Sequence, residues 1–566
     1  MATNNLFIYA FQGPSKLFWV NIETLVVLFI YKLARTQKVN LVVKLMSGQP
    51  SEPLIEISLK EDEYTIPATL PEITTLASGP VIVSGNQVTA GICSVARSLI
   101  KMSPEKEIRD LLGFREACLL ACSENSIWTR FCEVDIIQTV KNVLRQRYIF
   151  NKKFELPIDL ARFEYHMSTP VRMHNVYKEA RVKNNNKAII SGIPMNELNL
   201  HHTFSEGSSM TLSDVILYQC YEVLLKNSPF DLLIHRLPLT VNWFNKMEIS
   251  LVSSSKFTVG KTLIEVTDII EPNFVKQSLY KADPSRYRPE KRVFTKQNDI
   301  EHAFEQLEEI KTEIVNEIVP FGHDVYFSWS NVPLEANPRG GALPKERASR
   351  KSEQLKNLTK AVIKIAKNHY YKIVDFCSGS GHLGILLATL LPNCEIVLVE
   401  NKERSLMRAK ERIEKLGLSN VLIVQSNLDY FQGDFDIGVA LHACGVATDL
   451  VIQNCVEKKA HLVVCPCCYG GVRDCHHLTY PRSNKFKKID LDYNNYLNLA
   501  HGADQTHDDE NVKTKQGYFC MDAIDTDRKF FIESFGYKVF LGKLEPTTCT
   551  NKNNLLVGLL KDIESI

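Results

Sequence analysis

Long apolar runs are scarce in this 566-residue chain. The most apolar one, Leu25-Val-Val-Leu-Phe-Ile-Tyr31, is bounded by Glu23 and Lys32 and falls far short of the roughly 18–20 residues a membrane span needs. Near the start, Leu6-Phe-Ile-Tyr-Ala-Phe11 is too short for a secretory signal, and no basic segment precedes it. Net charge is nearly absent: the formal value is +2, so any nucleic-acid affinity must come from local patches rather than a global field. Internal repeats and long low-complexity tracts are missing. The fifteen cysteines are dispersed, several inside apolar runs (Cys377, Cys394, Cys465), as reduced thiols of a cytosolic protein are. These features lead to the expectation of a soluble cytoplasmic protein, for which a length of this order predicts three or four domains.

What the chain does contain is Tyr371-Lys-Ile-Val-Asp-Phe-Cys-Ser-Gly-Ser-Gly-His-Leu-Gly384, followed by Ile396-Val-Leu-Val-Glu400. A short apolar strand, a turn with Gly379, Gly381 and Gly384, an apolar helix and a second strand ending in an acid form the nucleotide site of a doubly wound sheet. In the dinucleotide fingerprint the first glycine follows the strand at once. Here Asp375 and three further residues intervene, and the D-x-x-x-G-x-G-x-x-G arrangement resembles class I S-adenosylmethionine (SAM) methyltransferases. That resemblance implies SAM as cofactor, with Asp375 and the Gly379/Gly381 turn holding its methionine part. Glu400 would take the two ribose hydroxyls, and Asn427, past the third strand, would touch the adenine edge. The closing pattern agrees: a helix over 521–535, then strands over 537–541 and 554–560, the pair with which such methyltransferases end.

The earlier chain reads as strand (6–11), helix (22–34) and strand (39–45), then a polar insertion (47–78), a hairpin turning at Ser84-Gly-Asn86 and a helix (92–102). This order, with Pro80 before the hairpin, resembles a thioredoxin-like fold. Residues 104–252 read as mostly helical. Thr211 and Asp214 form a capping box opening a helix that is apolar nearly all round, and a proline-started helix follows at Pro238. The pair resembles the C-terminal all-α domain of glutathione S-transferases. The resulting expectation is α/β and all-α multidomain: thioredoxin-like 1–103, transferase-like helical 104–252, connector 253–342, and a Rossmann-like seven-stranded methyltransferase domain 343–566.

Two clusters fall where substrate chemistry is expected, after the fourth and fifth strands. In Leu441-His-Ala-Cys-Gly-Val-Ala-Thr-Asp449, His442 is a candidate base or positioning group, against the alternative of a histidine bonded to backbone. In Cys465-Pro-Cys-Cys-Tyr469, Cys465 and Tyr469 are further candidates, Tyr469 to stack a planar substrate or as an ordinary wall aromatic. Cys467, Cys468 and Cys475-His-His477 bring zinc to mind, but the spacing is irregular, and the reading is buried or pocket-lining thiols with no metal. From Lys345 to Lys372 nine lysines or arginines face two acids, and 286–296 and 482–488 add positive charge. Such patches suggest a nucleic-acid or other anionic partner, RNA among them, against the alternative of solvated faces.

With Asp375 to Gly384, Ala440 to Asp449, Cys465 to Gly470, Leu544-Glu-Pro546 and Lys552 to Gly558 together, the chain resembles the glutathione S-transferase C-terminal domain-containing proteins over essentially its whole length. Their methyltransferase portion is similar to a group that includes a tRNA ribose methyltransferase, which makes RNA the implied substrate. The Asp/Asn-Pro-Pro-aromatic motif of amino-group methyltransferases is absent at His442-Ala-Cys-Gly445, which argues against a base or glutamine amine and leaves ribose, thiol or histidine acceptors open, ribose being favoured with RNA. The Gln/Glu-Ser pair that binds glutathione in active transferases is absent too: the stretch reads Thr89-Ala-Gly-Ile-Cys-Ser94. Tyr9 and Ser15 are candidates for thiol activation that nothing else in the sequence supports. The first half is therefore expected to recognise substrate or a protein partner. A SAM-binding scaffold without catalysis, and a glutathione transferase, are the competing readings.

Overall fold

Two units divide the chain, Met1–Arg292 and Val293–Ile566. The computed structural model describes residues 4–560 other than 15–16, 124–125, 173–174, 186–188, 191, 252–256, 258, 261–264, 281–294, 315, 318, 342–343, 368, 476, 490 and 507–510. Ser15 and the basic run 286–292 thus lie outside the described residues. Among those described, no helix is long and apolar enough to cross a membrane.

The first unit opens with β1 (Asn4–Gln12), β2 (Leu17–Val20), β3 (Val39–Leu45), β4 (Ile55–Ser58), β5 (Val81–Ser84) and β6 (Gln87–Ala90). β1 runs parallel to β3 and antiparallel to β5, and β5 turns back into β6. The segment 47–78, read as a polar insertion, contains β4, which pairs with β2. Its Ile55 and Ile57 are buried while Glu56 and Ser58 are exposed, the alternation of a half-buried strand. Helices follow, with a small sheet of β7 (Ile149–Phe150), β8 (Lys153–Glu155) and β9 (Asp268–Ile270) among them. Strands this short show no period, and a reading of 104–252 as helical passes over β7 and β8. The Thr211/Asp214 capping box opens helix Leu212–Lys226, and Asp214 also accepts the indole N–H of Trp243 at 2.9 Å.

The second unit is a sheet of β10 (Lys372–Phe376), β11 (Glu395–Glu400), β12 (Val421–Gln425), β13 (Ile437–Cys444), β14 (His461–Cys467), β15 (Tyr537–Lys543) and β16 (Asn554–Leu560). Its order is β15-β16-β14-β13-β10-β11-β12. β10 to β14 are mutually parallel, and β16 lies antiparallel between β14 and β15. This is the Rossmann-like methyltransferase fold. The stretch 253–342 is shared out: Ile269 and Leu279 join the core of the first unit, and Ile300, Ala303, Leu307 and Ile310 a core of the second. Within the polar, charged segment 501–516, His501 and Gly502 end helix Tyr493–Gly502, Thr506 is buried, and Val512 onward begins helix Val512–Glu533. An apolar count misses that helix start because its first turns carry Lys513 and Lys515.

A buried ionic network fastens the strand-end loops to that helix. Arg528 donates two hydrogen bonds to Asp449, at 3.0 and 2.6 Å, and one to Asp525 at 2.9 Å. Tyr480 O–H closes on Asp449 (2.8 Å), and Tyr469 O–H and Asn554 Nδ2 on Asp525 (2.6 and 2.7 Å). Removing one partner strands the others without solvent. Arg528→Met is therefore expected to destabilise the second unit by about 3–5 kcal/mol, read as a lower urea midpoint by circular dichroism. Arg528→Lys, which keeps the charge and loses the two-pronged geometry, is expected to fall between.

Candidate active site at the strand ends

Between β10 and helix His382–Leu390 the backbone turns through positive φ three times, at Cys377 (+53°), Gly379 (+57°) and Gly381 (+70°). Glycine is the residue at home in such conformations. Two carboxylates hold the turn. Asp375 Oδ2 accepts the Gly384 N–H at 2.9 Å, tying the strand end to the first turn of the helix. Glu400 Oε2 accepts the Gly379 N–H at 2.8 Å, and its Oε1 accepts those of Asn401 and Lys402, both at 2.9 Å. Asn401 in turn donates to Asn427 Oδ1 at 2.7 Å. Asp375, Gly379, Gly381, Glu400 and Asn427 therefore assemble at the carboxyl ends of β10, β11 and β12.

The same residues can be tested for room and for donors. A Cβ on Gly384 would lie 2.2 Å from Leu398, so the helix packs directly on β11, whereas a Cβ on Gly379 would meet nothing within 4 Å. Gly379 thus borders open space, a cradle that a side chain would fill. The hydroxyls of Ser378 and Ser426, beside this turn, are buried without a hydrogen-bond partner. A carboxylate offers about four acceptor sites, and three on Glu400 are taken by backbone, which leaves one on Oε2 for a hydroxyl. The space and the donor set fit an adenosyl ligand, with Glu400 taking one ribose hydroxyl and the serines available for further bonds.

His442 lies within β13, at the bulge between Leu441 and Cys444, at φ +71°. Its Nε2 lies 2.9 Å from Gln354 Oε1, while the Gln354 amide donates to the Cys549 carbonyl at 2.9 Å. This polarity assigns the proton to Nε2 and leaves the Nδ1 lone pair unprotonated. Burial, then the charge of Lys351, lowers the imidazole pKa to about 4, so it is neutral at physiological pH and its Nδ1 lone pair is open to a hydrogen-bond donor. Cys465 and Tyr469 stand apart from this chemistry. Cys465 is fully buried in the core with Val463 and Val557, and burial pushes its thiol up. Tyr469 is likewise buried, spending its hydroxyl on Asp525 rather than offering a ring to a cleft.

Residues 350–475 match the family model described as a methyltransferase domain. The glutathione S-transferase C-terminal domain-containing protein homolog of Drosophila melanogaster is 39% identical over 571 residues, spanning 95% of this chain and 96% of that protein. This chain belongs to the glutathione S-transferase C-terminal domain-containing protein family. The Homo sapiens member is 31% identical over 610 residues, 95% of each chain. A shorter likeness, 39% over 61 residues, is to the ribosomal RNA small subunit methyltransferase G of Bifidobacterium adolescentis, covering 11% of this chain and 24% of that one.

Two features of the first unit bear on the transferase in the family's name. The start of helix Ile92–Lys101, where active transferases bind the glutamyl end of glutathione, receives an internal carboxylate: Glu133 accepts the Cys93 N–H at 3.1 Å, fully buried. Tyr9 packs its ring on Gly79, where a Cβ would lie 1.9 Å from the ring, and burial raises its hydroxyl pKa. Thiol activation needs the opposite direction.

Sequence patterns pass over Lys351, Gln354 and Arg412. Arg412 donates to the Ser380 and Glu335 carbonyls at 3.1 and 2.7 Å, bracing the turn from outside. No local pattern joins it to the turn, since its contact crosses 32 positions.

Burial pushes the Asp375 carboxyl up to about 7, against the Gly384 N–H and Lys351. From the ordinary carboxylate range up to that value, the folded protein holds a proton that the unfolded chain has released. Stability therefore falls as pH rises through this window and levels off above it. Asp375→Asn keeps an oxygen for Gly384 and removes the titration. The wild type is expected to lose a few kcal/mol relative to this variant between pH 4 and 7, at about 1.4 kcal/mol per unit, measured by urea unfolding across pH.

Proposed function

We propose that this protein is a SAM-dependent methyltransferase that acts on RNA, at a ribose hydroxyl rather than a base amine. Its first half, thioredoxin-like and then transferase-like in strand and helix order, would serve recognition of substrate or a protein partner. The observation that carries the reading is the Glu400 carboxylate. It faces the glycine turn with one acceptor site left, beside the open space at Gly379.

SAM supplies an electrophilic methyl group; the chain supplies position and a proton acceptor. Gly379 admits the ligand, Glu400 and the serine hydroxyls of 378 and 426 are placed to hold its polar edge, and Asn427 lies at the third strand end. His442 Nδ1 is the group that would take the proton from a hydroxyl acceptor. The RNA part of the reading is supported by the exposed Lys345, Arg347 and Arg350 on the first turns of helix Lys345–Ala366. Lys364 and Lys372 of the same basic stretch are instead spent on Asp324 and Glu395. The likeness to a ribosomal RNA methyltransferase points the same way.

The test is methyl transfer from labelled SAM to total RNA, with digestion to nucleosides. Label in 2′-O-methylated nucleosides is expected, and label in protein alone would refute an RNA acceptor. Glu400→Ala is expected to weaken S-adenosylhomocysteine binding about 10–100-fold, the worth of a charge-assisted bond, by calorimetry. His442→Ala is expected to keep that binding while turnover falls about 10²–10⁴-fold. Unchanged affinity in a folded Glu400→Ala would remove the cofactor assignment.

A further inference from the structure

Three thiols that lie on two different strand ends converge beyond β13 and β14. The Cys444 Sγ is 3.5 Å from that of Cys467 and 3.2 Å from that of Cys468, and all three lie within 4.8 Å of one another. The backbone enforces this. β13 and β14 pair in register as far as Leu441 and Cys465, and then a bulge sets Cys444, not Ala443, opposite Cys467. Side chains alternate along a strand, so the one added residue brings Cys444 to the side that Cys467 occupies. Past the strands the two loops touch backbone to backbone. A Cβ on Gly445 would lie 2.7 Å from the Gly471 carbonyl carbon, and the Gly445 N–H donates to the Cys467 carbonyl at 3.0 Å. Cys468, at φ +51°, folds back toward the pair.

We propose that Cys444, Cys467 and Cys468 form a three-thiolate site for zinc(II), with the fourth coordination position open to an exchangeable ligand. Zinc–sulfur bonds of about 2.3 Å in a tetrahedron set sulfurs about 3.8 Å apart, so the observed separations need adjustment by well under an ångström. Cys467 is buried while Cys444 and Cys468 are exposed, which gives the ion an anchored side and an entry side. Three thiolates and a divalent ion leave one negative charge. Lys402 acts on Cys444, Lys552 on Cys467 and Cys468, and Lys351 on Cys467 and on Asp375 alike; Asp504 opposes them, acting on Cys444 and pairing with Lys552 at 3.3 Å, so three cations face one anion around the site. Three protein ligands with a free position are the pattern of zinc sites that bind water or substrate rather than only brace a fold, and a thiol or water bound there loses its proton readily. The neighbours by sequence take no part: Cys465 Sγ faces the Lys552 carbonyl at 3.6 Å, and His477 pairs with Asp429 at 2.9 Å. Methyl transfer is not a premise of this site.

The test uses the full-length protein, stripped with a chelator under reducing conditions and reloaded with zinc or with cobalt(II) as a spectroscopic probe. One equivalent of metal per chain is expected, with a thiolate-to-cobalt charge-transfer band and tetrahedral d–d bands. Cys444→Ser and Cys468→Ser, both at exposed positions, are expected to lower zinc affinity beyond the roughly 10–100-fold cost of losing an outer-shell partner. Cys475→Ser should leave it unchanged. In the unmutated protein, zinc is expected to shield Cys444 and Cys468 from alkylation, read by peptide mass spectrometry, and chelation to expose them. Absence of stoichiometric metal, retention of metal by the Cys444→Ser/Cys468→Ser double variant, or a Cys444–Cys468 disulfide in place of bound metal would each overturn the site.

Discussion

Two carboxylates at adjacent strand ends hold the glycine turn between them, and the candidate site exists only while they do. Asp375 and Glu400 sit one strand apart on a parallel sheet and grip the turn from its two ends, at Gly384 and Gly379. Their electrostatics differ. Asp375 is buried deeply enough that its charge is resisted, and its task is to fix the helix on the strand. Glu400 stays partly open and is satisfied by three backbone donors, which hold its carboxylate in one orientation without side-chain help. A pre-oriented acceptor next to empty space loses little freedom when a hydroxyl arrives.

The longest motifs on the chain divide their residues between structure and chemistry. Asp449 and Tyr469, from the segments after the fourth and fifth strands, are anchors of the Arg528 network. His442, Cys444, Cys467 and Cys468 from the same segments stay at the strand ends. The network fixes the helix and loop that follow these residues, and the contact of Gly445 with Gly471 sets the two loops against each other. Rigid support from one set of side chains is what lets another set sit close together.

Much of this was legible in sequence because it rests on short-range pattern. The spacing from Asp375 through Gly384 to Glu400 locates the turn and its acid, and the closing strands appear as apolar runs separated by polar loops. What escaped depends on contacts distant in the chain. Gln354 meets His442 across 88 positions, and Arg528 meets Asp449 across 79. Tyr469 and Cys465 looked chemical because tyrosine and cysteine at a strand end can be either core or site, and only burial separates the two. The three thiols do not lie on one segment: Cys444 comes from the neighbouring strand through a bulge that has no sequence signature. β2 and β7 to β9 are too brief for any period to show.

In the first unit, the buried Glu133 at the start of helix Ile92–Lys101 and the raised hydroxyl pKa of Tyr9 are set against glutathione chemistry. The central claim, a working adenosyl site in the second unit, is tested most directly by thermal unfolding of the full-length protein with S-adenosylhomocysteine or with glutathione, beside a Gly379→Arg control. A ligand at a hundredfold over its Kd adds about 2.7 kcal/mol of stability. Stabilisation by S-adenosylhomocysteine alone, lost in the control, is the expected result. Stabilisation by glutathione alone, or by neither ligand, would contradict it.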